Sequence, residues 1–494
     1  MRPAGLRTVF QSTAIYTIGL VLQRALSLVM LPLYTSYIPS RDYAVIDMLD
    51  TAVALFGIIF GARFSGALLY HSSEAEGDVA RRDVLTTAFF GGTLIGLAGG
   101  LVGFFGAPWI ARVYMGSAEY AHPLRIMFGA FALGIPVEIG WSWLRLENRT
   151  VLFVCATLAQ ILALVGLNVL FIVRLEWGYI SLMWTSLICY LILFAGFAGA
   201  LRTKRRGRFD RSLYWRMIKF TAPLGATVLA TFIFHSGDRY FLIRNVPLSL
   251  MGEYALAYKV CMVATLVGAA FHQYWGAQVY THARGENGPA ECSRIFTYIF
   301  TLGSYVAFGV WAFAAPLLTR LTDEQYHGGI AYVPWLLLAY NIRAIADFLR
   351  SFLYVKNSPG LDAWSQSLAA AICLIAYAAL IPRFGVWGAV AATIIGYASV
   401  SAISAYYALR LFPFRFEVGR LLRLAGVLVT VGASILLQPH LSWWGQTALA
   451  AAASAAFPVL LFASGYFDRQ EVSALRAQWE SLRQKALGAP ASEA

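Results

Sequence analysis

Residues 11–36 read QSTAIYTIGLVLQRALSLVMLPLYTS, a mostly apolar run with a single charge, Arg24, near its middle. About 20 such residues cross the hydrocarbon core of a bilayer as a helix. A cation at mid-bilayer costs roughly 2.5–3.5 kcal/mol on insertion scales. Arg24 is too deep to snorkel to an interface. Such a side chain normally faces protein or a water-filled cavity, and a cavity lined by cations suits an anionic passenger.

The rest of the chain repeats this pattern. It is 494 residues long, 59% hydrophobic and 13% charged, where a soluble domain carries about 25% charged residues. No long polar stretch is present to build a soluble domain. Further apolar spans are predicted at 44–70, 84–106, 118–144, 150–173, 178–201, 218–243, 249–279, 292–318, 330–355, 361–382, 386–411, 420–438 and 443–466. The expectation is therefore an all-α polytopic membrane protein of 14 transmembrane helices. No A-x-A-like cleavage site follows the first span, so 11–36 reads as a retained helix and not a signal peptide.

Basic residues orient these spans. With the N-terminus inside, the outer segments hold only Arg41, Arg112, Arg174, Arg244, Arg320 and Arg383. Seven cations, Arg24, Arg63, Arg125, Arg239, Lys259, Arg343 and Arg350, fall within spans. The others, out of 38 Lys and Arg in all, lie inside. Both termini are thus predicted in the cytoplasm. The net charge of +13 is explained by topology, and no nucleic-acid partner is implied.

The tract RTKRRGRFDR, 202–211, divides the chain after six spans, and reads as a topology signal and anionic-lipid contact. A weak repeat crosses it. Asp42-Tyr43-Ala44-Val45 opens the second span and Glu253-Tyr254-Ala255-Leu256 the eighth, each after a short outer loop containing Pro39 or Pro247. The expected plan has an N-terminal six-helix bundle (1–201), a basic linker (202–217), a C-terminal bundle (218–411), two added helices (412–466) and a tail (467–494). Transporters built from repeated halves bind substrate between them near mid-bilayer. In the tail, Val472, Leu475, Trp479 and Leu482 recur at helical spacing, as in an amphipathic helix lying on the inner surface.

Several chemistries lack their signatures. There is no Walker A lysine, HExxH or GxSxG motif. The cysteines, at 155, 189, 261, 292 and 373, form no CxxC pair, which argues against zinc or a disulfide framework. The outer loops are short. No enzymatic activity is expected, and transport remains as the main class.

The stretch LQRALSLVMLPLYTSYIPSRDYAVIDML, 22–49, resembles the opening of bacterial polysaccharide flippases. These are Wzx-type members of the multidrug/oligosaccharidyl-lipid/polysaccharide (MOP) exporter superfamily. The shared pattern is a cation in the first helix, then Leu-Pro-Leu-Tyr-Thr, then Asp-Tyr at the start of the second. GDRYFLIRNVPLSLMGEYALAYKV, 237–260, is similar to the junction of their seventh and eighth helices. The resemblance implies two pseudo-symmetric six-helix bundles plus two extra helices in the bacterial inner membrane. It further implies alternating access that carries an undecaprenyl-diphosphate-linked oligosaccharide to the outer leaflet. A proton or sodium gradient or the membrane potential would drive it, without a cofactor. Membrane lipids, a polysaccharide polymerase and a co-polymerase are the partners it suggests, and a monomer is expected. Two other readings remain: a MATE-like ion-coupled antiporter for a small solute, and a non-transporting scaffold of a polysaccharide assembly complex.

Arginine offers phosphate a permanent charge and a planar fork of donors. Arg63 and Arg350 are predicted towards the inner side, Arg24 and Arg343 near the middle, and Lys259 and Arg239 towards the outer side. Together they form a ladder for the diphosphate and its sugars. The competing reading is ion pairing within the protein: Arg343, Asp347 and Arg350 share a helix face, and Asp238 adjoins Arg239. Asp47, Asp50, Glu138 and Asp347 are the candidates for ion coupling, with Asp47 and Asp50 alternatively pairing with Arg24. Arg125, near a helix end, reads as an anchor, and His235 and His272 as satisfied bundle histidines. Gly92, Gly96 and Gly100 suit close helix packing. Pro136, Pro223 and Pro334 are predicted kinks. Tyr258, Tyr274, Trp275 and Tyr340 are candidates for stacking on sugar.

Overall fold

The structure, a computed structural model, describes residues 30–60, 64–147, 149–204, 207–221, 224–285, 287–468, 471 and 473. Arg24, Arg63, Pro223 and most of the tail lie outside the described residues. The chain forms α1 (Leu31–Tyr37), α2 (Ser40–Ile59), α3 (Phe64–Glu74), α4 (Gly77–Met115), α5 (Ala121–Leu146), α6 (Thr150–Val169), α7 (Ile180–Lys204) and α8 (Arg211–Thr221). It continues as α9 (Leu224–Asn245), α10 (Leu248–Cys261), α11 (Thr265–Arg284), α12 (Gly288–Leu321), α13 (Val333–Val355), α14 (Pro359–Leu411), α15 (Val418–Ile435) and α16 (Trp443–Ala463). No strand occurs among the described residues.

Eleven helices among the described residues are long and apolar enough to cross a membrane. The 53-residue α14 is two helices, because Gly385 (φ 56°, ψ −130°) breaks it between the two spans predicted there. Only glycine takes that conformation without strain. The predicted count of fourteen is consistent with these helices. Two spans differ in detail. The span predicted at 249–279 is interrupted by a 3-10 turn at Met262–Ala264, and the start of the 330–355 span belongs to a 3-10 helix from Glu324 to Tyr332. Pro334 sits in the first turn of α13, where a missing N–H costs nothing, so it starts a helix and kinks none. Pro136 lies inside α5.

The chain divides into two compact units, 1–263 with 318–407, and 264–317 with 408–494. In the first, α4 packs on α5 through its glycines. A Cβ on Gly96 would lie 2.4 Å from the Ala132 carbonyl oxygen, and one on Gly92 2.3 Å from Ile139. Lipid supplies no hydrophobic drive between helices, so this close approach of backbones is what stabilises the pair. The repeated openings are built alike. Pro39 and Pro247 cap α2 and α10 with φ/ψ of −59°/153° and −58°/142°. The two helices pack together where a Cβ on Gly252 would lie 1.9 Å from the Ser40 carbonyl oxygen. The basic tract is strapped to the start of α4: the Gly207 N–H donates to Thr86 (2.9 Å) and the Arg208 N–H to Asp83 (2.6 Å).

In the second unit, Leu424, Val427, Val431 and Ile435 of α15 pack with Ala450, Ala453 and Phe457 of α16. Arg420, 7% exposed, donates to Asp468 (2.5 Å) and Glu471 (3.1 Å), which fixes the first residues of the tail to α15.

Candidate functional site

Three of the four described cations of the ladder are neutralised within the first unit. Arg239, on α9, is 4% exposed. Its Nε donates to Asp47 of α2 (2.9 Å), and its Nη1 to both oxygens of Asp238 (2.8 and 3.0 Å) and the His235 carbonyl (3.1 Å). Neighbours on a helix diverge, yet the long arginine chain folds back along its own turn and reaches the adjacent carboxylate. Asp47 therefore meets Arg239, across 192 residues of sequence. The Tyr254 hydroxyl also donates to Asp238 (2.7 Å).

The shared helix face predicted for α13 is present. Arg343 Nε and Arg350 Nη1 both donate to Asp347 Oδ1, at 3.1 and 3.3 Å. Arg343 adds Gln366 (3.2 Å). Arg350 grips Asp362 of α14 with two parallel bonds of 2.5 and 2.9 Å, and Tyr354 donates to the same carboxylate (2.8 Å). Asp362 is 1% exposed. Sequence reasoning missed it, although a carboxylate at the head of an apolar span is a visible signal.

Aromatic rings join these two clusters. The Arg239 guanidinium lies 4.4 Å from the centre of the Tyr258 ring. Tyr258 meets Tyr340 (6.2 Å), Tyr340 meets Tyr397 (6.0 Å), and the Arg343 guanidinium lies 5.8 Å from Tyr397. His235 packs on Tyr340 and Tyr397. Among the described residues, the hydroxyls of Tyr258, Tyr340 and Tyr397 are all buried without a hydrogen-bond partner. An orphaned buried hydroxyl is costly, and a run of three marks a place for a further polar group.

Lys259 differs from the arginines. It donates to the Tyr43 hydroxyl (3.0 Å) and lies 5.8 and 5.3 Å from the Tyr34 and Tyr43 ring centres. No carboxylate among the described residues is in ion-pair contact with it. Of the predicted stacking residues, Tyr274 is 60% exposed, whereas Trp275 is 1% exposed and stacks on Phe271 and His282, which closes it to sugar. Arg125 lies over Phe104 at 5.4 Å.

The remaining coupling candidates, Asp50 and Glu138, lie elsewhere in this unit. Both line a cavity of about 480 Å³ with Gln160, Ser186, Tyr190 and Trp141. Both carboxylate residues are exposed to it. Ser65 donates to Glu138 (2.7 Å), while Asp50 has no hydrogen-bond partner among the described residues.

Helices of membrane length and a charged, tyrosine-rich cluster within the first unit define a polytopic membrane protein. The fold is similar to that of lipid II flippase MurJ in an inward closed conformation, with TM-score 0.74 and 14% identity over 91% of this chain and 99% of that one. It is also similar to an inward-facing multidrug resistance MATE family transporter of the MOP superfamily (TM-score 0.62, 13% identity, 78% and 94% covered). A MOP superfamily transporter from Pyrococcus furiosus matches at TM-score 0.52, with 13% identity and 82% and 95% covered. No curated protein matches the chain. The chain belongs to the polysaccharide biosynthesis protein family, which matches residues 9–273, more than half its length.

Proposed function

We propose that the protein carries an undecaprenyl-diphosphate-linked oligosaccharide from the inner to the outer leaflet of a bacterial inner membrane during surface polysaccharide synthesis. The observation that carries this reading is the polar strip from Arg239 through Tyr258, Tyr340 and Tyr397 to Arg343 and Arg350. It holds permanent cations and orphaned hydroxyl donors on one continuous path. A diphosphate carries about two negative charges and does not cross hydrocarbon unpaired. Phosphate oxygens accept from guanidinium forks as carboxylates do.

The ion pairs give the strip a gating property. Breaking a buried pair with no replacement costs about 3–5 kcal/mol. Arg239, Arg343 and Arg350 are therefore held by Asp47, Asp238, Asp347 and Asp362 until a diphosphate takes over those bonds. Lys259, towards the outer side, has no carboxylate in ion-pair contact among the described residues and takes the phosphate without breaking a pair. The lipid tail stays in the bilayer while the two halves alternate access. No covalent chemistry is done on the substrate. Both termini face the cytoplasm, an ion gradient or the membrane potential supplies the drive, and the protein works as a monomer beside a polymerase and co-polymerase. The family description and the fold shared with a lipid II flippase support the reading.

A second reading, a MATE-like antiporter of a small cationic solute, draws on the carboxylates of the Asp50–Glu138 cavity and on the fold shared with a MATE transporter. Complementation separates the two. In a strain lacking the gene, surface polysaccharide should vanish and lipid-linked oligosaccharide should accumulate on the inner leaflet. Normal polysaccharide in that strain contradicts the flippase reading and favours the antiporter.

A further inference from the structure

We propose that the cavity between α2, α5, α6 and α7 binds a sugar of the transported lipid and selects neutral or amino sugars over acidic ones. This rests on the flippase reading above. Its volume of about 480 Å³ lies within the usual range for small-molecule sites. Its polar lining leans towards acceptors, with the Tyr190 hydroxyl and the Trp141 and Gln160 N–H groups as the donors. Asp50 and Glu138 supply carboxylate oxygens, and the Gln160 side-chain carbonyl oxygen is buried without a partner among the described residues. The Ser186 hydroxyl spends its proton on the Leu182 carbonyl (2.9 Å), which leaves its oxygen as an acceptor. Among the described residues, none lining the cavity is a cation.

An acceptor-rich wall calls for a donor-rich ligand, which sugar hydroxyls and an ammonium group both are. Trp141 and Tyr190 add rings on which the C–H face of a pyranose can lie. Trp141 is held by edge contacts with Phe153 (5.2 Å) and Phe197 (5.6 Å), so its ring is set before a ligand arrives. A uronic acid would bring a third carboxylate and be rejected by like charge. Helix α2 ties the two regions together: Asp47 turns to Arg239, and Asp50, three residues on, lines the cavity.

The test uses purified full-length protein in liposomes and three polyprenyl-diphosphate-linked disaccharides that end in glucose, glucosamine or glucuronic acid. Wild type should move the first two at least about tenfold faster than the third. Asp50→Asn with Glu138→Gln should bring the three rates within about threefold of one another. Gln160→Leu, which leaves both carboxylates in place, should slow the glucose and glucosamine lipids and keep the discrimination. A glucuronate lipid that moves as fast as the others in wild type, or a ratio unchanged in the double variant, overturns the proposal. If no lipid moves, the flippase reading fails, and binding decides this one by thermal shift. Stabilisation by the glucosamine lipid and not the glucuronate lipid, lost in the double variant, supports the cavity assignment, and equal shifts overturn it.

Discussion

At Asp47, α2 gives a carboxylate to a buried arginine; one turn later, at Asp50, it gives another to an open cavity in which no described lining residue is cationic. The charged strip of α9, α10, α13 and α14 and the cavity of α2, α5, α6 and α7 are both polar interiors in an apolar protein, but they are solved in opposite ways. In the strip almost every charge is matched: Asp47 and Asp238 on Arg239, Asp347 between Arg343 and Arg350, Asp362 on Arg350. Among the described residues the carboxylates of the cavity are in no ion-pair contact, and Glu138 accepts from a serine hydroxyl. The difference shows that intramembrane charge has two meanings. A buried, paired charge holds helices together and must be exchanged to act. An exposed charge outside such a pair is open to a ligand.

That contrast is sharpest in stability. Arg239→Ala strands Asp238, which is 0% exposed, and should destabilise the protein by about 3–5 kcal/mol in thermal or denaturant unfolding of the detergent-solubilised protein. Unchanged stability would mean that Asp238 is neutral and that the strip is not an ion-paired lattice. Lys259→Met breaks no direct ion pair among the described residues. It should leave unfolding nearly unaltered while slowing transport about 10- to 100-fold, the loss of one hydrogen bond to a charged group of about 1.5–3 kcal/mol. Large destabilisation with normal transport would reverse the roles given to Lys259 and Arg239. Gly96→Val, at the α4–α5 contact beside the cavity wall, should cost about 1–3 kcal/mol through overpacking. The smallest effect is expected at Asp50→Asn, within about 0.5 kcal/mol of wild type by the same unfolding measurement. A large loss there would turn the cavity into a second structural site.

Local patterns were legible in the sequence, and distant pairings were not. The i, i+4, i+7 spacing of Arg343, Asp347 and Arg350 gave one face, and that face is present because helical geometry alone decides it. The glycine spacing of α4 foretold its packing for the same reason. Asp47 with Arg239 depends on how α2 meets α9, which no single helix encodes. Asp47 meets Arg239, and the alternative pairing of Asp47 or Asp50 with Arg24 falls on a residue outside the described residues. Trp275 was assigned a stacking role by residue type, but its face is spent on Phe271 and His282. Asp50 and Glu138 were visible singly as intramembrane carboxylates. That they share one cavity with Gln160 and Trp141 needs four helices in place.

The most direct test of the central claim is transport by purified protein in liposomes that carry a polyprenyl-diphosphate-linked oligosaccharide, read as the fraction reaching the opposite leaflet, for wild type and Lys259→Met. The account expects rapid movement by wild type and a 10- to 100-fold slower rate in the variant, about the loss of one charged hydrogen bond. No movement by a folded wild type, or equal rates for the two proteins, would contradict it.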